Sequence, residues 1–94
     1  MELTDVYDHI PGLEVRRLGD ENQVVKKIAD TELIPLFTLD ETASYIWDEI
    51  DGKKDIWQII CLLMEEFEMD EGSALAEVVE VMEEMEGLVI NKVA

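Results

Sequence analysis

Few residues in this chain are of a type that could carry out a reaction, and those few stand alone. His9 is the only histidine and Cys61 the only cysteine. A structural or catalytic metal site draws its ligands from clusters of Cys, His and carboxylates. His9 has no such company in the sequence and reads as incidental. Cys61 lies in the apolar run "IICLLM" without a redox or nucleophile motif, so it reads as a packed thiol. A lone cysteine also allows no intramolecular disulfide. Carboxylates are plentiful, but "DVYDH", "DGKKD" and "EMDEG" lack the regular ligand spacing of a calcium loop. There is no Gly-rich phosphate loop and no Ser–His or Cys–His pair. The expectation is a protein that is not an enzyme, with no metal, no cofactor and no catalytic residue.

The dominant chemical feature is charge. Twenty-four Asp and Glu oppose seven Lys and Arg, a formal net charge of −17 over 94 residues. Such a length fits one small domain spanning residues 1–94. The charge serves solubility through a solvated acidic face, or it steers a basic partner. Either way it opposes nucleic acid, whose affinity depends on Lys and Arg neutralising phosphates. "MELTDVYDHIPG" is too polar for a secretory signal, and "IICLLM" is far too short to span a bilayer. A cytoplasmic protein with no membrane partner is the simplest reading.

The elements that would carry any binding surface follow from periodicity. Residues up to Gly12 show no clear period and read as a short N-terminal tail or approach strand. "LEVRRL" alternates as a half-buried strand does, and "VVKKI" and "LIPLF" follow across turn residues. Together they predict a three-stranded antiparallel meander over about 13–38. Pro35 lacks an N–H, which assigns the third strand to the sheet edge. Helices are expected over about 39–87. Thr38 or Asp40 caps the first, whose face is Ala43, Ile46, Trp47 and Ile50. Asp55, with Gln58 three residues on, caps the second, whose stripe is Ile56, Ile59, Ile60, Leu63 and Phe67. Asp70 or Ser73 opens the third, and Gly87 closes it. "LVI" can add a short terminal strand.

Two helical surfaces carry more apolar residues than a narrow core seam needs. Trp57, Cys61 and Met64 form a stripe beside the core stripe of the second helix. In the third, Leu75, Val79 and Met82 make one ridge and Ala74, Val78, Val81 and Met85 a second. The two ridges cover roughly 160° of the helix. Either the fold buries both, or one lines a groove for a partner. Val81, the more lateral of the second ridge, is expected to matter little for folding.

The ordered pattern Leu39-Asp40, Ala43, Ile46-Trp47, Asp51-Gly52, Ile59, Leu63, Phe67 and Gly87-Leu88 resembles the pyrroloquinoline quinone biosynthesis protein D family. These PqqD-like proteins are also called RiPP recognition elements. The resemblance covers about Val15 to Ile90. Asp40 stands where Asn is commoner, a change that a helix cap tolerates. The resemblance implies an α+β fold, an N-terminal three-stranded antiparallel sheet packed on a three-helix winged-helix-like bundle. It also implies a non-catalytic peptide chaperone. Such a protein binds the leader of a ribosomally synthesised precursor peptide and presents it to a modifying enzyme, often a radical SAM protein. The leader would add as a strand beside the third strand, against the third helix. The strand candidates are Leu33, Ile34, Leu36 and Phe37; the helix candidates are Leu75, Val78, Val81 and Met82.

Two other classes compete. A winged-helix DNA-binding protein needs a basic recognition helix, and Ser73 to Glu86 contain no Lys or Arg. A dimerisation or regulatory module would use Trp57, Cys61 and Met64 and make the chain a homodimer.

Overall fold

The computed structural model describes Met1–Val93. Five strands and three helices follow in the order β1 (Tyr7–His9), β2 (Leu13–Leu18), β3 (Glu21–Ala29), β4 (Glu32–Leu39), α1 (Glu41–Glu49), α2 (Ile56–Phe67), α3 (Glu71–Met85) and β5 (Ile90–Lys92). β2, β3 and β4 form the expected antiparallel meander, and three helices follow it, an α+β arrangement.

Each helix begins at an aspartate. Asp40, Asp55 and Asp70 accept hydrogen bonds from the backbone N–H of Ala43, Gln58 and Ser73 at 2.8, 2.8 and 2.7 Å. Aspartate satisfies an otherwise orphaned N–H and places negative charge at the positive end of the helix dipole. It prevails over Thr38 in the first helix and over Ser73 in the third. Asp55 and Gln58 complete a reciprocal capping box, with the Asp55 N–H donating to Gln58 Oε1 at 2.9 Å. The "DGKKD" segment spends Asp51 on a turn, its Oδ1 accepting from the N–H groups of Lys53 and Lys54 at 2.9 Å each.

The N-terminal segment is not a tail. β1 pairs with β5, Tyr7 opposite Lys92 and His9 opposite Ile90. Tyr7 is buried, and its hydroxyl donates to Glu86 at 2.9 Å. Burial, then this acidic partner, pushes the phenol up to about 12. The His9 ring stacks on Trp47 at 3.7 Å, and its Nε2 lies 2.8 Å from the Trp47 carbonyl oxygen. Gly52, at φ 77°, donates its N–H to the Tyr7 carbonyl at 3.0 Å; a Cβ there would meet Asp8 Oδ2 at 2.8 Å. These contacts join the N-terminal segment to the middle and the far end of the chain, which no local period announces.

The core gathers one face of every helix. Ile46 and Trp47 of α1, Ile56, Ile59, Ile60 and Leu63 of α2, and Ala74, Val78, Val81, Met82 and Met85 of α3 are buried with Val24, Leu39, Val89 and Ile90. Phe67 is half-buried and meets Tyr45 edge-on at 5.6 Å. Cys61 is exposed rather than packed. An apolar sequence neighbourhood does not bury a helical residue whose position points away from the stripe.

Candidate functional site

β4 is an edge strand. It pairs with β3 on one side, and its other side faces no strand of the sheet. The pairing sets Val24 opposite Phe37 but Val25 opposite Pro35, which leaves Leu36 as an extra residue on β4. Such a β-bulge bends and twists the strand locally. It falls beside the one residue of β4 that cannot donate a ladder hydrogen bond, so the proline and the irregularity share one site.

The bulge divides the strand candidates. Leu36 and Phe37 are half-buried and pack against the core. Leu33 and Ile34 lie on the other side of the bulge, toward the β3–β4 turn, 38% and 40% exposed. The four residues thus form a run that starts in solvent and ends in the core, along an open strand edge.

The helix candidates do not stay together. Val78 and Met82 are fully buried and Val81 is only 8% exposed, so all three are core residues of the chain by itself. As the chain is folded they cannot meet a ligand directly, and Val81 is not the tolerant lateral position expected of it. The second ridge is the core face of α3, which packs chiefly on α2 and also on α1. Leu75 is 37% exposed but lies away from β4. At 100° per residue it is about 160° around α3 from Glu77, and Glu77 is the residue near enough to Asp40, at the β4–α1 junction, to feel its charge.

Glu77 is the residue that the sequence reading passed over. It is half-buried. Burial raises its carboxyl above the ordinary value, and Asp40, Glu80 and Glu84 reinforce the shift. The flank of α3 turned toward the end of β4 is therefore acidic and partly desolvated. A signal was available: Glu77 sits among Ala74, Val78 and Val81, one position off their stripe, where a long acid borders the core.

A second surface lies on α2. Trp57, 39% exposed, lines a groove of about 360 Å³ with Lys54, Gln58, Cys61, Leu62 and Glu65. Met64, placed with Trp57 and Cys61 in the sequence reading, turns inward and packs against the core. No helix among the described residues is long and apolar enough to cross a membrane.

A family model described as Coenzyme PQQ synthesis protein D (PqqD) matches residues 28–88. The matched span runs from the end of β3 through β4 and all three helices. No curated protein and no solved structure matches the chain.

Proposed function

The chain belongs to the PqqD family, and from that premise we propose that it is a non-catalytic chaperone for the leader of a ribosomally synthesised precursor peptide. Members of this family bind precursor peptides and partner the enzymes that modify them. In this reading the chain works in the cytoplasm as a single domain and delivers the leader to a modifying enzyme such as a radical SAM protein.

The observation that carries the proposal is the open edge of β4 with Leu33 and Ile34 in solvent beside it. A leader adding as a further strand would gain backbone hydrogen bonds of little sequence preference, and pockets for alternate side chains would supply selectivity. Leu33, Ile34, Leu36 and Phe37 offer apolar contact along that edge. The bulge at Leu36 limits regular pairing to the segments on either side of it. Of the helix candidates, Val78, Val81 and Met82 act by holding α3 in place beneath the site. Glu77 joins the site as the group that favours a Lys or Arg of the leader near the end of β4. Leu75 belongs to a different face.

The test is a titration of isotope-labelled protein with the leader segment of a precursor encoded beside this chain. Strand addition predicts slowed amide exchange and shifted resonances over Leu33–Phe37 and at Glu77. Changes confined to Trp57 and Cys61 would instead favour the homodimer or regulatory reading, for which the exposed Trp57 is the supporting observation. Sedimentation of the parent and of Trp57→Asp separates those two.

A further inference from the structure

Charge is unevenly spread over this fold. From Asp40 to Glu86, the helical half, sixteen carboxylates face only Lys53 and Lys54, both in the α1–α2 connection. The carboxylates also crowd the wrong ends of the helices. A helix C-terminus is the negative pole of its dipole and is stabilised by cations. None of the three helices has a base in its last turn. α3 instead ends with Glu83, Glu84 and Glu86. Glu86 accepts a hydrogen bond from Tyr7. Glu80, Glu83 and Glu84 join none of the ion pairs formed by Lys54 and Lys92. Lys54 meets Glu49 at the end of α1 at 3.4 Å, but among the described residues no cation meets the carboxylates at the end of α3.

The same face of α3 carries an apolar groove. Leu75, Ala76 and Val79 line a depression of about 500 Å³ together with Glu80, Glu83 and Glu84. Leu75 and Val79 border the buried stripe of Ala74, Val78, Val81 and Met85, and Ala76 lies on the far side from it, so folding covers this face only in part. Leu75 and Ala76 are exposed and Val79 is half-buried. The groove therefore pairs an apolar step at the N-terminal half of α3 with unpaired negative charge one to two turns on.

We propose that this outer face of α3 docks a cationic amphipathic helix of a partner protein. An apolar side chain of that helix would seat over Leu75, Ala76 and Val79. Lysines or arginines about one turn away would meet Glu80, Glu83 and Glu84. The match in charge sign selects this occupant over a second copy of the chain, since two chains of −17 repel each other. The proposal rests on the reading of the chain as a leader carrier to the extent that the partner is its modifying enzyme. Leu75 lies about 160° around α3 from Glu77, whereas Glu80 and Glu84 stand beside Glu77, so the apolar part of this face is separate from the leader flank and its acidic end adjoins it.

The test uses the labelled full-length chain and a synthetic Leu/Lys amphipathic helical peptide, with its lysine-acetylated form as control. The expected result is resonance shifts centred on Leu75, Ala76, Val79, Glu80, Glu83 and Glu84, absent with the acetylated peptide. The double change Glu83→Lys/Glu84→Lys should weaken binding roughly tenfold, through lost and reversed charge contacts. Leu75→Ser should weaken it by several-fold. Glu65→Lys/Glu66→Lys makes the same change in net charge on α2 and should alter affinity by less than about twofold if contact rather than net charge decides. Equal weakening by both double variants, or shifts spread over all three helices, would overturn the proposal. Leader titrations of Glu83→Lys/Glu84→Lys keep the two readings apart. Shifts at Leu33–Phe37 should persist there, and their absence in the parent as well would count against the leader site alone.

Discussion

Replacing Ile34 and Val78 by aspartate should have opposite consequences, and the contrast tests the division of this fold into site and core. Ile34 keeps about two fifths of its surface in water on the open edge of β4. Full burial of such a side chain is worth about 1.5–3 kcal/mol, so the partial burial here contributes about 1 kcal/mol. A carboxylate at this position can remain solvated. For a domain of this size, a loss of about 1 kcal/mol lowers the melting temperature by about 4–8 °C, and Ile34→Asp should still fold. Its charge on the edge should obstruct an added strand. The leader should then bind at least about tenfold more weakly, or about 1.4 kcal/mol. Val78 has no exposed surface, and no charged side chain is buried among the described residues to pair with a new carboxylate. Val78→Asp loses the burial of valine, again about 1.5–3 kcal/mol, and must desolvate an unpaired carboxylate at a further cost of several kcal/mol. The sum rivals the entire stability of a small domain, about 5–15 kcal/mol. Circular dichroism melts followed by calorimetric titration with the synthetic leader check both. If Ile34→Asp binds the leader as the parent does, β4 is not the docking edge. If Val78→Asp melts like the parent, the assignment of the Val78 ridge to the core is wrong.

Four further outcomes are expected. Asp55→Ala removes the side-chain acceptor of the Gln58 N–H in the α2 capping box and keeps the backbone N–H that donates to Gln58 Oε1; it should cost about 1 kcal/mol in denaturant titrations. Glu77 carries a raised carboxyl pKa in the fold, so its contribution to stability is fully present below the ordinary carboxylate range and is lost as pH rises through the raised value. Glu77→Gln should therefore melt like the parent in acid and above it at neutral pH, and a parent advantage at neutral pH would contradict that sign. With no base between Glu71 and Met85, duplex DNA should show no gel shift at about 50 mM salt; a salt-sensitive shift at micromolar protein would reopen the nucleic-acid reading. Association with a basic leader should slow as salt is raised, measured by stopped flow, whereas a flat on-rate would reduce the net charge to a solubility device.

What the sequence alone determined was local. The Asp caps, the 3.6-residue stripes of α1 and α2, the alternation of β2 and the turn residues each act over a few positions, so a linear reading captures them. Even Pro35 announced an edge strand, because a missing N–H is a property of the residue itself. The tertiary structure decided what depends on partners distant in the chain. Tyr7 and His9 become a strand only because Ile90–Lys92 returns to pair with them. The third helix displayed two apolar ridges, and periodicity could not rank them. Packing of α3 on α2 and α1 buries Val78, Val81, Met82 and Met85 and leaves Leu75 partly exposed. The same packing brings Glu77 within reach of Asp40, thirty-seven positions earlier. Helical periodicity fixes which residues share a face, but only the docking of one element on another decides which face is spent on the core and which remains for a partner.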